Sequence, residues 1–358
     1  MIVKIQTNEP YAVIIEKGAI AKTGEVLSKM YPKSTRIMLI SDTNVFPIYG
    51  RRIMNSLSEK GFTVDKFTFL AGETQKNMNT VSEMYAALAD KAFTRTDLVL
   101  AVGGGVVGDM AGFAAATYLR GIDVVQVPTS LLAQVDSSIG GKTGVDLPFG
   151  KNLVGAFHQP KLVITDPMVL ETLPDEYMVD GLGEVVKYAC IYDSQLFEDL
   201  ESGKAIDNIE DTIYKCIDCK REFVENDTKD FGQRMLLNFG HTFGHAIEKL
   251  HNFKEVSHGR AVAIGMYLVT TVSESLNLTE KGTADRIKAL LIKLGLPFED
   301  INDFESIIDA TKLDKKSVGK MINLIFLSEI GKAFIHKEER NYLILKFKIL
   351  MGRKSSNE

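Results

Sequence analysis

The stretch DLVLAVGGGVVGD, residues 97–109, constrains the fold of this chain more than any other. An uninterrupted apolar run without alternation reads as a strand buried on both faces, as in a parallel sheet covered by helices. It runs directly into Gly103, Gly104, Gly105 and Gly108, and then into an alanine- and glycine-rich helical segment. Glycines at such a turn let the backbone approach a pyrophosphate, whose charge the helix amino end favours.

The rest of the first half repeats the same alternation. MIVKIQT and YAVIIEK read as two strands joined by the turn residues NEP. RIMLIS is a buried run ending at Asp42 and Asn44, where a ribose or adenine contact would sit. FTVDKFTF leads to a loop carrying Glu73 and Lys76, and DVVQVP and KLVITD complete the pattern. The expectation is an α/β amino-terminal domain, residues 1–167, with a mainly parallel, Rossmann-like sheet that binds ligands at its strands' carboxyl ends. From about 168 to 300 nearly every segment has helical periodicity, and MINLIFLS and KAFIHK return as a hairpin. Residues 168–358 therefore read as a mostly α-helical carboxy-terminal domain, with the active site in the cleft between the two.

Composition narrows the function. A length of 358 residues suits two domains at about 150 residues each, and a net charge of −5 disfavours nucleic acid or an acidic membrane as partner. No apolar run reaches the roughly 18 residues of a membrane span, and MIVKIQTNEP has no signal-peptide pattern, so the expected home is the cytoplasm. Three cysteines do not make a disulfide framework, and the CxxC of Cys216 and Cys219 reads as helix packing.

The segment PTSLLAQVDSSIGGKTGVDLPFGKNLVGAFHQP is rich in Gly, Ser, Thr and Lys, and reads as a loop region built to hold an anion. Lys142, Lys151 and Asn152 are its natural donors, and Asp136 could orient a hydroxyl or a lysine. Arg120, Lys220, Arg234 and Asn238 add further cationic and polar contacts. Of six histidines, four (His241, His245, His251, His258) fall within residues 238–260. His241 and His245 lie four apart on one helix face, and neutral imidazole is a common ligand for zinc-like ions. The carboxylate comes from DGLGEVVKYA, where Glu184 and Lys187 are three apart among apolar or small neighbours. Glu184 with two of the histidines would leave positions open for a substrate, as catalytic zinc requires.

GGGVVGDMAGFAAATYLRGI, VPTSLLAQVDSSIGGKTGVD, KNLVGAFHQP, GLGEVVKYA and RMLLNFGHTFGHAIE together resemble the 3-dehydroquinate synthase family of the sugar-phosphate cyclases. The resemblance implies conversion of 3-deoxy-D-arabino-heptulosonate 7-phosphate to 3-dehydroquinate and phosphate, with NAD and a divalent metal (zinc or cobalt), by a cytoplasmic homodimer of the shikimate pathway. It implies Glu184, His241 and His258 as metal ligands, with His245, Lys142 and Asp230 in catalysis. It implies a cofactor set of Asp42, Asn44, Glu73, Lys76, Gly104, Gly105, Val106, Asp109, Thr129, Ser130, Lys142, Lys151 and Thr172. Arg120, Asp136, Asn152, Lys187, Lys220, Arg234, Asn238 and either Lys315 or Lys316 would hold the substrate. One position departs from the pattern: Asp230 stands where many relatives carry Glu, one methylene longer. A different cyclase, a glycerol-type metal-dependent dehydrogenase and a non-enzymatic nucleotide binder are the rival readings. The density of cations speaks against the dehydrogenase, which would release NADH and has no need of them.

Overall fold

The computed structural model describes residues 1–228, 232–311 and 321–339. It divides into two compact units, neither continuous in sequence: Met1–Met178 with Ile213–Lys229, and Val179–Thr212 with Asp230–Glu358. This differs from a single cut at residue 167. The segment after Thr212 is tied to the first unit, because Lys220 Nζ donates to Asp136 Oδ1 at 2.8 Å and Gln6 N donates to Glu225 at 2.7 Å.

The first unit contains β1 (Ile2–Ile5), β2 (Tyr11–Ile15), β3 (Arg36–Asp42), β4 (Thr63–Phe69), β5 (Leu98–Gly103), β6 (Asp123–Pro128), β7 (Lys142–Leu147), β8 (Gly150–Phe157) and β9 (Leu162–Thr165). Its helices are α1 (Thr23–Ser28), α2 (Arg51–Glu59), α3 (Met78–Asp90) and α4 (Gly105–Thr117). All seven strands read from the sequence join one sheet in the order β1-β2-β9-β6-β5-β3-β4. Only β1 and β2 pair antiparallel; the other neighbours are parallel. Alternate residues of β3 and β5 feed opposite faces. Met38, Ile40, Val99 and Ala101 pack with Val81 and Met84 of α3 and Met110 of α4. Ile37, Leu39, Leu98 and Leu100 pack with Leu27 of α1 and Ile53 and Leu57 of α2. Helices on both faces explain why DLVLAV shows no alternation.

The segment read as an anion-holding loop is largely ordered as a short helical turn at Ala133–Ser137 and the β7–β8 hairpin. Its glycines suggested a loop for the wrong reason. Gly144 and Gly155 face each other across the ladder, and a Cβ on Gly155 would stand 2.1 Å from the carbonyl oxygen of Thr143. Two glycines there permit the close pairing of strands.

The second unit comprises most of α5 (Asp175–Ile191), then α6 (Ser194–Ser202), α7 (Lys204–Asp207), the start of α8 (Ile209–Asn226), α9 (His241–Leu250), α10 (His258–Ser275), α11 (Thr283–Lys293) and α12 (Phe304–Thr311). The expected hairpin follows as β10 (Met321–Glu329) and β11 (Lys332–Glu339). Cys216 and Cys219 are buried free thiols on α8, in keeping with plain packing. Among the described residues no helix is long and apolar enough to cross a membrane.

Candidate active site

In the first unit the chain runs one way across the sheet from β3 to β4 and the other way from β5 to β6. The β3/β5 boundary is therefore the topological switch point, where open parallel sheets bind ligands at their strands' carboxyl ends. Asp42 ends β3, and its Oδ1 accepts from the backbone N–H groups of Asn44 and Val45, both at 2.8 Å. Gly103 ends β5, and Gly104, Gly105 and Val106 open α4. Thr129 donates its N–H to the Gly103 carbonyl at 2.9 Å, and Ser130 follows it out of β6. The turn after β4 brings Lys76, only 6% exposed, to Asp109 on α4 at 2.6 Å. Burial pushes the Asp109 carboxyl up and the Lys76 ammonium opposes that push. Glu73 meets Lys151 at 3.7 Å. These residues thus gather around the carboxyl ends of four neighbouring strands.

The turn fits a dinucleotide phosphate. A Cβ on Gly104 would stand 3.4 Å from Ser130 Oγ, and one on Gly105 would stand 3.1 Å from Ser137 Oγ. A side chain there would fill the space in front of the α4 amino end, where N–H groups and dipole favour an anion. The Thr172 Oγ1 stands 2.6 Å from the hydroxyl of Tyr49, in the segment that follows β3.

Of the cations read from the sequence, Lys220 is 5% exposed and donates to both the carbonyl and the carboxylate of Asp136. Lys142 opens β7 with an exposed side chain. Asn152, on β8, has a left-handed φ of 52° and donates its N–H to Asp146 at 2.7 Å. Arg120 does not join this group. It follows α4, whose 13 residues span about 20 Å, and it leads into the amino end of β6, the opposite end of the sheet from the glycine turn. Leu119 and Arg120 have φ of 50° and 66°, a strained pair for residues with side chains.

In the second unit three elements converge. Glu184 on α5 is fully buried, and its Oε1 lies 3.7 Å from His241 Nε2 on α9 and 3.6 Å from His258 Nε2 on α10. Ligands held at about 2.1 Å around a tetrahedral zinc-like ion stand about 3.4 Å apart, so the set is close to the spacing such an ion needs. The His241 Nδ1 sits 3.0 Å from the Phe239 carbonyl. A carbonyl only accepts, so Nδ1 carries the proton and Nε2 is left bare toward Glu184. Burial holds His241 well below the ordinary histidine range, against the pull of Glu184. Lys187, 1% exposed, is ion-paired with Glu184, one helical turn away. Arg234 is also buried, and Asn238 donates to the Met235 carbonyl at 3.1 Å. His245 lies beside the metal set, with ring centroids 5.5 Å from His241 and 6.1 Å from His258.

The helices are brought together by small residues. A Cβ on Gly183 would stand 2.4 Å from the Gly259 carbonyl oxygen, and one on Gly259 would stand 1.8 Å from that of Asp180. With no side chain at either place, α5 and α10 touch backbone to backbone, and Glu184 lands beside His258. Asp230, Lys315 and Lys316 lie outside the described residues.

Two contributors were missed in the sequence. Asp180 accepts from the N–H groups of Gly259 and Arg260 at 2.7 and 3.2 Å, capping the first turn of α10. Glu248, 1% exposed, places Oε1 3.4 Å from His258 Nδ1. A signal was present: His241, His245 and Glu248 at steps of four and three share one face of α9.

Models of the 3-dehydroquinate synthase N-terminal and C-terminal regions match residues 66–180 and 181–317. The 3-dehydroquinate synthase of Clostridium acetobutylicum is 49% identical over 334 residues, spanning 92% of this chain and 94% of that protein. Among solved structures, 2-deoxy-scyllo-inosose synthase complexed with carbaglucose-6-phosphate, NAD+ and Co2+ superposes with a TM-score of 0.85 at 25% identity, covering 98% and 99% of the two chains. The 2-epi-5-epi-valiolone synthase of Streptomyces hygroscopicus subsp. jinggangensis, with NAD+ and Zn2+ bound, gives 0.86 at 26% identity over 98% and 99%.

Proposed function

The chain belongs to the 3-dehydroquinate synthase family, and on that premise we propose that it converts 3-deoxy-D-arabino-heptulosonate 7-phosphate to 3-dehydroquinate and phosphate in aromatic amino-acid biosynthesis. The observation that carries the reading is the meeting of Glu184, His241 and His258, each delivered by a different helix. When bound, NAD would take a hydride from a secondary hydroxyl carbon and return it, while a zinc or cobalt ion polarised that hydroxyl.

The chain's own residues supply the rest. Gly104, Gly105 and Val106 would hold the cofactor's pyrophosphate at the α4 amino end, with Asp42, Asn44, Glu73, Lys76, Asp109, Thr129, Ser130, Lys142, Lys151 and Thr172 completing the cofactor set. Glu184, His241 and His258 would hold the ion. His245, whose ring stands beside two of those ligands, is the candidate general acid or base, with Lys142 and Asp230 as further catalytic groups. Elimination of phosphate from the carbon β to a ketone needs a base for the proton on the intervening α carbon and cations for the departing phosphate. Asp136, Asn152 and Lys220 in the first unit, with Lys187, Arg234, Asn238 and one of Lys315 and Lys316 in the second, are the candidates for holding the substrate. Buried guanidinium and ammonium groups such as Arg234 and Lys187 suit a multiply anionic sugar phosphate. A cytoplasmic homodimer is the accompanying proposal, supported by the exposed Ile2 on the edge strand β1.

The test is a phosphate-release assay on the heptulosonate phosphate. Release without net NADH, abolished by chelator and restored by zinc or cobalt, is the expected result. Stoichiometric NADH accumulation would instead favour a dehydrogenase.

A further inference from the structure

We propose that Glu248 is the positioning residue for His258, holding its Nδ1 so that Nε2 is presented to the metal, while Asp180 fixes the backbone that carries the ring. The inference rests on the reading of Glu184, His241 and His258 as the metal set. His258 has a carboxylate against each ring nitrogen, Glu184 at 3.6 Å from Nε2 and Glu248 at 3.4 Å from Nδ1. An imidazole that gives Nε2 to an ion carries its proton on Nδ1 and needs an acceptor there. A carboxylate in that place fixes the tautomer and ring orientation and makes the ligand more basic. Glu248 is buried, so it cannot turn to bulk water without moving α9.

The second half of the device is on α5. Asp180 Oδ1 accepts from the N–H groups of Gly259 and Arg260, the two residues after His258. Asp180 precedes Glu184 by four residues on the same helix, so one face of α5 supplies a ligand and pins the start of the helix bearing another. His245, Glu248 and His258 form a second grouping whose donor atoms also lie within 4.8 Å of one another. With Glu248 against Nδ1, that grouping would take His258 through Nδ1 and leave Nε2 turned to Glu184. The Glu184 set is favoured because His241, engaged at Nδ1 by the Phe239 carbonyl, already offers a bare Nε2 to the same carboxylate oxygen.

The experiment uses the full chain, stripped with chelator and titrated with cobalt(II), following affinity by equilibrium dialysis and the ligand field by visible absorption. Glu248→Ala is expected to lose about 10–100-fold in cobalt affinity, with the saturated spectrum unchanged. Glu248→Gln, whose amide oxygen still accepts from Nδ1–H, should recover affinity to within about threefold of the unaltered protein. Glu248→Leu keeps the buried volume and should behave as the alanine variant, so the result does not hang on the alanine variant folding. Folded Ala or Leu variants that bind cobalt as tightly as the unaltered protein would remove Glu248 alone. A changed saturated spectrum would make Glu248 a ligand and overturn the positioning role. If the unaltered protein bound no stoichiometric cobalt, the metal reading would fall and this assignment with it.

Discussion

At the residue scale, the state of His258 without metal decides how the site loads. Burial pulls its pKa down, but hydrogen bonds to Glu184 and Glu248 outweigh burial and lift it to about 10. A divalent ion must displace that proton. Metal affinity should therefore climb with pH, by about tenfold per unit between roughly 6 and 10, a dependence that dialysis against cobalt at fixed ionic strength would measure. His241 adds nothing to this slope in the same window, because burial already keeps it neutral. His258→Ala should lose metal and phosphate-releasing activity together, read by metal analysis beside the assay. Retention of both would take His258 out of the ligand set.

At the scale of elements, the metal set depends on how closely α5 and α10 approach. The contact at Gly183 and Gly259 is backbone on backbone, so a single methyl has nowhere to go. Gly259→Ala should cost about 1–3 kcal/mol in urea unfolding through overpacking. It should also lower metal affinity more than ten-fold, because displacing α10 takes His258 from Glu184 and breaks the Asp180 cap. A variant that unfolded more easily but bound metal normally would show that the close crossing serves stability alone. In the first unit the corresponding element is the β5–α4 turn, whose glycines keep open the space beside Ser130 and Ser137.

At the scale of the whole molecule, the outer edge of β1, unpaired among the described residues, is the feature that bears on assembly. Ile2 is 64% exposed on a strand that, among the described residues, pairs only with β2, and an exposed apolar edge invites a second strand. Light scattering should give twice the chain mass of 39.6 kDa, and Ile2→Lys should shift the population toward the single chain. A monomeric unaltered protein would refute this edge as the dimer contact. The proposed cofactor residues belong to the first unit and the proposed metal ligands to the second.

The strand and helix pattern was legible in the chain because burial on both faces leaves an uninterrupted apolar run at the centre of the sheet, as DLVLAV does, while the outer strands β1 and β2 alternate. The proposed metal set was legible only as residue types, a carboxylate among small neighbours and clustered histidines; that Glu184, His241 and His258 converge is decided by the packing of α5, α9 and α10. What the linear order could not contain was contact between residues distant in the chain. The β7–β8 hairpin hid behind glycines whose purpose appears only across the ladder. The return of residues 213–229 to the first unit depends on Lys220 reaching Asp136, 84 positions away. Glu248 and Asp180 acquire meaning only when α9 and α5 are packed against α10, because hydrogen bonds and close packing act over a few ångströms of space, whatever the separation along the chain.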